Sequence, residues 1–256
     1  MPVYDNCMER IKNIRTSEVA RAAGVHPNTV RLYEQWGLLP QAQRTAGGHR
    51  LFTGAHLEQM KLCRLALRCQ FVEGDIRARA LEILRTAASG DLPGALGLAE
   101  AAVRHIQSER TKAEEALSLS QNWAAGRLPG TPSAYHNRKA VAEALGVSID
   151  VLRNWERNAL VEVPRSGNGY RVYGAEQMSR LKIIRTLRQA NYSMTAILRM
   201  MNHVDAGHAG DLRAVLDTPE PEDDIVSATD RWISALWEAE AEAREVVDQL
   251  IKMMRK

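Results

Sequence analysis

The strongest constraint on the fold is an internal repeat, because the stretch 16–52 returns as the stretch 138–173. The matches begin at an offset of 122 residues and continue at 121 after one residue is lost. The matched pairs are Val19 and Val141, Gly24 and Gly146, Val25 and Val147, Arg31 and Arg153, Glu34 and Glu156, Leu38 and Leu160, then Arg44 and Arg165, Gly48 and Gly169, Arg50 and Arg171, Lys61 and Lys182, and Arg64 and Arg185. A run of this length with one gap predicts two copies of one structural unit, the first copy (16–52) and the second copy (138–173).

The first copy has the pattern of two short helices followed by a basic hairpin. Residues 16–22 predict a helix, Gly24 breaks it, and Pro27 suits the first position of the next helix, where a missing N–H costs nothing. Two short helices joined by a turn at glycine are a helix-turn-helix, whose second helix can enter the major groove of DNA. The basic segment that follows has a turn at residues 47–48, which predicts a small β-wing.

Each copy is followed by helices that end in a long heptad segment. Residues 54–72 and 74–88 have helical spacing, and residues 89–94 are a break. The first seam that follows contains Leu96, Ala99, Val103, Ile106, Arg110, Ala113, Leu117 and Ser120. The second seam contains Ile225, Thr229, Trp232, Leu236, Ala239, Ala243, Val246, Leu250 and Met253. Alternating steps of three and four residues predict coiled-coil helices.

The expected fold is therefore mainly α, with two winged helix-turn-helix units that have small β-wings and are each followed by a long coiled-coil helix. The expected segments are a first winged helix-turn-helix domain at 1–90, a long coiled-coil helix at 91–123, a linker at 124–136, a second winged helix-turn-helix domain at 137–204, a linker at 205–224 and a C-terminal coiled-coil helix at 225–256.

The distribution of charge follows the repeat. Residues 1–73 carry a net charge of +4 and residues 135–204 carry +6, whereas residues 74–134 are neutral and residues 205–256 carry −7. Basic blocks that coincide with helix-turn-helix patterns are typical of surfaces that bind phosphate.

Several classes of protein find no support in the sequence. It has no apolar run of transmembrane length and no signal-peptide core, and its three cysteines are too few and odd in number for a disulfide framework. Cys63 and Cys69 lack chelating spacing, so metal sensing is disfavoured. No nucleophile–base pair, phosphate loop or catalytic carboxylate pair occurs. We expect a cytoplasmic protein that is not an enzyme, needs no cofactor and has no membrane association.

The first copy resembles the DNA-binding domain of the MerR family of transcription regulators. The residues that carry the resemblance are Val19, Ala20, Gly24, Val25, Thr29, Arg31, Tyr33, Glu34, Gly37, Leu38, Arg44, Gly48 and Arg50. The second copy keeps the family's pattern at residues 170–173. The resemblance implies a regulator that binds double-stranded DNA as a dimer, distorts promoter DNA and acts with RNA polymerase holoenzyme.

The candidate DNA-contacting residues lie at the helix-turn-helix pairs and the wings. They are Thr16, His26, Asn28, Thr29, Arg31, Tyr33, Arg44, Thr45, His49 and Arg50 in the first copy, and Ser148, Arg153, Trp155, Arg165, Asn168, Tyr170 and Arg171 in the second. For Arg31 and Arg153 we favour phosphate contact over base contact. Packing in the core and contact with the DNA backbone both stay open for Tyr33 and Trp155. Leu32 and Val30 are expected in the core.

Several alternatives remain open at this point. The chain could be a dimer fused into one molecule, which is monomeric in solution, or it could form a homodimer with four winged units. It could also be an excisionase-like or architectural DNA-bending protein, a drug-sensing relative with a small-molecule effector, or a module that uses the second copy for protein contact. Because Asp150 replaces Asn28, the second copy could read bases or only hold the backbone.

Overall fold

The computed structural model describes residues 13–68, 76–127, 137–208, 210–218 and 228–255. The fold is mainly α-helical with one small two-stranded sheet, which confirms the predicted fold class. The described residues form two compact units: the first unit lies within residues 1–106 and 238–256, and the second lies within residues 107–237. Cys7, Cys69, the predicted helix end at Phe71 and Val72, and the linker residues 128–136, 209 and 219–224 lie outside the described residues.

The first unit contains the first winged copy and the helices that follow it. Its elements are α1 (Thr16–Ala23), α2 (Pro27–Gln35), β1 (Gln43–Arg44), β2 (Arg50–Leu51), α3 (Gly54–Ala66), α4 (Ile76–Ala88) and the start of α5 (Leu92–Ala124). β1 and β2 pair antiparallel, with Gln43 opposite Leu51 and Arg44 opposite Arg50, and they form the predicted wing.

The second unit repeats this order and adds one short helix. Its elements are the end of α5, then α6 (Arg138–Leu145), α7 (Ile149–Arg157), α8 (Ala175–Gln189), α9 (Met194–Asp205), α10 (Leu212–Asp217), a 3-10 turn (Ala228–Arg231) and the start of α11 (Trp232–Met254). α10 falls inside the stretch 205–224 that the sequence analysis treats as a linker. It is capped by Asp211, whose Oδ1 accepts from the Ala214 N–H at 3.2 Å, and it buries Leu212 and Leu216.

The second wing is a single bridge between Arg165 and Arg171 rather than a pair of strands. Pro164 stands beside it and has no N–H, so the next rung has only one hydrogen bond, from the Val172 N–H to the Pro164 carbonyl at 3.0 Å. The hairpin turn is otherwise kept, because the Ser166 N–H donates to the Tyr170 carbonyl at 2.8 Å.

Local chemistry fixes both helix-turn-helix pairs at the same places. α1 ends at Gly24 and α6 ends at Gly146, and these glycines have φ of 64° and 60°. This left-handed conformation is the usual helix C-terminus and favours glycine. The next helices start at side-chain caps: His26 Nδ1 accepts from the Asn28 N–H at 3.2 Å, and Ser148 Oγ accepts from the Val151 N–H at 3.2 Å.

Each second helix of the pair is also tied to the helix that follows the wing. The Leu38 carbonyl, just after α2, accepts from Gln59 Nε2 at 3.0 Å and from Cys63 Sγ at 3.4 Å. The matching Leu160 carbonyl accepts from Arg180 Nε at 2.6 Å. These bonds satisfy carbonyls at a helix end and hold the end of α2 on α3 and that of α7 on α8.

The core of the first unit includes residues from both ends of the chain. Val30 and Leu84 lie in the same apolar cluster as Ala99 of α5 and as Val246 and Leu250 of α11. Polar contacts reinforce this packing: Gln249 Nε2 donates to Glu58 Oε2 at 2.8 Å, and Arg68 pairs with Glu245 at 3.2 Å. The last part of α11 is therefore a structural part of the first unit.

In the second unit, the turn between α8 and α9 contacts α5. The Tyr192 hydroxyl is buried and donates to the Ala113 carbonyl at 3.2 Å, and Asn191 donates to Glu109 at 3.0 Å. Arg199 of α9 donates to the Val215 carbonyl at 2.9 Å, which fixes α10 against α9. The bond to Val215 also gives a donor to a carbonyl in the last turn of α10.

α5 starts earlier than the seam alone predicts. The helix begins at Leu92, so the expected break at 89–94 is limited to its first residues. Pro93 does not prevent this, because the first helical turn needs no N–H there, and Asp91 Oδ1 accepts from the Gly94 N–H at 2.8 Å as a cap.

The turn after the second helix of each pair yields a matched stability prediction. Gly37 has φ of 71°, whereas its counterpart Ala159 has φ of 56°, a conformation that costs an alanine free energy. We expect Ala159→Gly to raise the free energy of unfolding of the second unit by about 0.5–1 kcal/mol. Gly37→Ala should lower that of the first unit by about 1 kcal/mol, since no atom lies within 4 Å of the added Cβ and only the backbone strain matters. Urea denaturation measures both changes in the free energy of unfolding. A loss of stability in Ala159→Gly would contradict the inference that the left-handed conformation strains Ala159.

Candidate nucleic-acid interface

α2 and α7, the second helices of the two pairs and hereafter the recognition helices, present matched polar side chains to solvent. Arg31 and Asn28 are exposed on α2, and Arg31 Nη1 donates to Asn28 Oδ1 at 3.1 Å. Arg153 and Asp150 are exposed on α7, and their ion pair has a distance of 2.9 Å. Each recognition helix therefore holds an arginine that is oriented by the residue three positions before it.

In the first copy, one carboxylate joins the recognition helix to the wing. Glu34 accepts from the Arg50 guanidinium in a short ion pair, and its other oxygen accepts from the Ala42 N–H at 3.1 Å. Both partners are largely buried, with side-chain exposures of 20% for Arg50 and 10% for Glu34. Arg50 thus braces the wing from within, and Arg44 is the wing arginine that stays exposed.

In the second copy the matching carboxylate gathers more donors. Glu156 pairs with Arg171 of the wing at 2.6 Å and with Arg138 of α6 at 2.7 Å. The buried Tyr173 hydroxyl also donates to Glu156 in a short hydrogen bond. Phe52 occupies the place of Tyr173 in the first copy and cannot make this bond.

These contacts determine the ionisation of the Glu156 carboxyl group and of the Tyr173 hydroxyl. Burial raises the pKa of Glu156, but the hydrogen bonds from Arg138 and Tyr173 and the charges of Arg138 and Arg171 outweigh it, so the pKa lies below the ordinary value. Burial and the hydrogen bond to Glu156 raise the pKa of Tyr173, so its hydroxyl remains a donor at neutral pH. The carboxylate is therefore ionised wherever the second copy is folded near neutral pH.

The predicted contact residues fall into three groups by exposure. The exposed group comprises His26, Asn28, Arg31, Arg44, His49, Ser148, Arg153, Arg165, Asn168 and Tyr170. The half-buried group comprises Thr16, Thr29, Tyr33, Thr45, Arg50 and Arg171. Trp155 alone among them is buried, at 4% exposure, so of its two open roles the structure supports packing in the core.

One side chain of the first recognition helix departs from the expectation that it lies in the core. Val30 is buried as expected, but Leu32 is 37% exposed and lies outside the core. Trp36, four residues later, is also exposed and stacks with Tyr33 at 6.1 Å between ring centroids. Their positions in the second copy are Asn154 and Asn158, so this apolar feature belongs to the first copy.

Sequence reasoning missed two arginines of the second copy. Arg138 and Arg157 line an open cleft of about 420 Å³ together with Asp150, Arg153, Glu156 and Arg171. Arg138 matches Thr16 in the repeat, a predicted contact residue, so the offset of 122 residues could have identified it. Arg157 matches Gln35 in the same way. At these two positions the second copy therefore has a positive side chain where the first has an uncharged one.

The interface contains no recognisable metal centre in the part of the chain that the structure covers. No group of three or more His, Cys, Asp or Glu side chains there could hold a metal ion. Cys63 is buried, and burial raises the pKa of its thiol to about 12, so it is protonated at neutral pH and a poor metal ligand. No helix formed by the described residues is both long enough and apolar enough to cross a membrane.

The Glu156 cluster predicts a pH-dependent contribution to stability. Because the folded-state pKa is lowered, the contribution is fully present above about pH 4.5 and is lost as the pH falls through the folded pKa. We expect Glu156→Gln to lower the free energy of unfolding by about 1–3 kcal/mol at pH 7, since it leaves three donors without an ionised acceptor. Urea denaturation of both proteins should give values that converge towards pH 3. The exposed Glu162→Gln is the control, and an equal deficit of Glu156→Gln at pH 3 and pH 7 would contradict the cluster's role.

Comparisons with known proteins identify the same two helix-turn-helix segments. Residues 15–52 match the family model described as MerR family regulatory protein, and residues 138–204 match that of MerR HTH family regulatory protein. The chain is 38% identical over 63 residues to the HTH-type transcriptional regulator ZntR of Escherichia coli, which covers 25% of this chain and 45% of that protein. It is 35% identical over 48 residues to the HTH-type transcriptional regulator YfmP of Bacillus subtilis, covering 19% and 34%.

A longer match is 27% identical over 103 residues, to the mercuric resistance operon regulatory protein of Serratia marcescens, and covers 40% of this chain and 69% of that protein. The chain spans less than half the length of the E. coli and B. subtilis relatives, so these similarities concern a part of each protein. Both helix-turn-helix segments of this chain are therefore similar to MerR-family regulatory proteins.

Proposed function

We propose that the protein is a transcription regulator that binds double-stranded DNA through both winged copies. The observation that carries this proposal is that two family-matched segments each present an exposed recognition-helix arginine beside a wing that a glutamate fixes in place. The names of the relatives, which describe transcriptional regulators, support the same conclusion.

The proposed contacts divide between the recognition helices and the wing tips. Arg31 and Arg153 are the exposed cations of the recognition helices and would contact phosphates or base edges in the major groove. At the wing tips, His49 and Asn168 are exposed and Tyr170 is 74% exposed, so these side chains would reach the adjoining backbone. Arg50 and Arg171 would act mainly by holding the wings, because each is engaged by a glutamate.

The proposed mode of action is distortion of promoter DNA in the presence of RNA polymerase holoenzyme. Bending a short site costs about 1–6 kcal/mol, which the phosphate contacts of two basic copies can offset. A small-molecule effector is not part of the proposal.

We further propose that one chain performs the task of a dimer. The support is that each compact unit contains one winged copy together with part of α5 and part of α11. α5 has 33 residues and α11 has 23, which correspond to about 50 Å and about 35 Å at 1.5 Å per residue. The length of α11 is comparable with the separation of DNA half-sites, about 34–36 Å, and that of α5 exceeds it.

Substitution of the recognition arginines tests whether both copies bind. Arg31→Ala and Arg153→Ala should each weaken binding to a selected duplex. Each should also make the fall of log affinity with log salt concentration less steep, by about 0.9 per lost phosphate contact. Arg104→Ala is the matched control, because Arg104 is exposed on α5 and carries the same charge away from the winged copies. Fluorescence anisotropy at several salt concentrations measures both quantities.

An unchanged affinity in Arg153→Ala, with a loss in Arg31→Ala, would show that the second copy does not bind DNA. An unchanged affinity in both variants would overturn the proposed contacts of both recognition helices.

The mass in solution tests the one-chain arrangement. We expect light scattering to give a mass near the 28.5 kDa of one chain for the free protein, and one chain per duplex for the complex. A mass of two chains in both states would contradict the arrangement and favour a homodimer with four winged copies.

A further inference from the structure

We propose that Asn28 and Asp150 make the two copies read different bases, so that the second copy selects a cytosine at the position where the first copy rejects one. This inference rests on the proposed function, and it concerns which sequence is bound. The two residues hold the same position of the repeat, the second residue of α2 and of α7.

In the first copy, the contact with Arg31 fixes how Asn28 faces outward. Arg31 Nη1 lies 3.1 Å from Asn28 Oδ1. Since a guanidinium has only donors, the Asn28 atom that faces it is the carbonyl oxygen, and the amide Nδ2 is turned to the other side. The exposed edge of Asn28 therefore offers two N–H donors.

In the second copy, the same arrangement leaves an acceptor in that place. Arg153 Nη1 lies 2.9 Å from Asp150 Oδ1, and Asp150 is 85% exposed. The second carboxylate oxygen of Asp150 is left to accept from a partner, and an ionised carboxylate has no donor. The two copies thus present opposite hydrogen-bonding groups from equivalent backbone positions.

The edges of the bases in the major groove distinguish these groups. Cytosine offers only the N4 amino donor, guanine offers the N7 and O6 acceptors, and thymine offers the O4 acceptor. Adenine places an N7 acceptor beside its N6 donor, which disfavours a carboxylate. Asp150 therefore fits cytosine, whereas the donors of Asn28 fit guanine, thymine or adenine N7 and meet no acceptor on cytosine.

The charge of Asp150 sharpens this selection. A carboxylate beside the DNA is repelled by phosphates, so it lowers affinity for each site that does not offer it a donor. Its pair with Arg153 is solvent-exposed on both sides, so Oδ1 can keep Arg153 while the second carboxylate oxygen accepts from a base. The preferred DNA site should therefore be an imperfect palindrome whose halves differ at this position.

Selection from a random duplex library tests the inference with an exchange of the two residues. The proteins are the wild type, Asp150→Asn, Asn28→Asp and the double exchange, and Asn202→Asp on α9 controls for added negative charge. Both substitutions fall in the first turn of a helix, where Asn and Asp are tolerated, and thermal melts verify folding.

We expect the wild type to enrich a site with cytosine at this position in one half only, and Asp150→Asn to lose that preference. Asn28→Asp should add cytosine in the other half, and the double exchange should move it from one half to the other. On defined duplexes, changing that base pair should weaken wild-type binding about 5- to 100-fold, the usual effect of one mismatched pair.

The outcomes separate this inference from the proposed function. If the wild type enriches a site but the exchanges leave both halves unchanged, the assignment of Asn28 and Asp150 is overturned and DNA reading stands. If the wild type enriches no sequence, both proposals are overturned.

Discussion

A carboxylate on each recognition helix determines where the wing lies. Glu34 binds Arg50 and a backbone N–H of the loop before β1, and Glu156 binds Arg171 together with Arg138 and Tyr173. The electrostatic attraction within an ion pair that is partly withdrawn from water is stronger than that within a surface pair. If one partner moves away, the other is left as a partly buried charge without its counter-charge. The helix and the wing are therefore positioned together before any partner arrives, which lowers the ordering cost of binding.

The two copies reach this geometry by different means. The first has a true pair of short strands and a glycine at the left-handed turn, whereas the second has a single bridge beside Pro164 and an alanine at that turn. The second copy compensates with side chains, because Arg138 and Tyr173 replace Thr16 and Phe52 around the central carboxylate. Loss of ladder hydrogen bonds in the second wing is thus accompanied by a denser polar cluster around Glu156, which Arg171 of the bridge joins to the wing.

The sequence predicted the fold class well because its signals were local. Gly24, Pro27 and the 47–48 turn each specify a backbone conformation by themselves, and the seam residues identify buried helix faces through their spacing. The roles of Arg50 and Arg171 could not be predicted in this way, since their partners are 16 and 15 residues away and only the folded chain brings them together. Trp155 differs from these arginines, because it lies three residues after the buried Leu152 and helical spacing already places both on one face. Arg138 is different: the repeat already marked its position, and comparing the copies residue by residue would have found it.

The first unit is formed by two separate segments of the chain, and this affects how the chain folds during its synthesis. That unit draws on residues up to Ile106 and then on Glu238–Lys256, so the whole second unit is translated between its two parts. At about 5–20 residues per second, the ribosome needs on the order of ten seconds for this interval. During that time the apolar surface formed by Leu84, Ala95 and Ala99 lacks Val246 and Leu250. The half that emerges first is thus the half that finishes folding last, and a nascent chain truncated before Glu238 would expose this surface to chaperones and proteases.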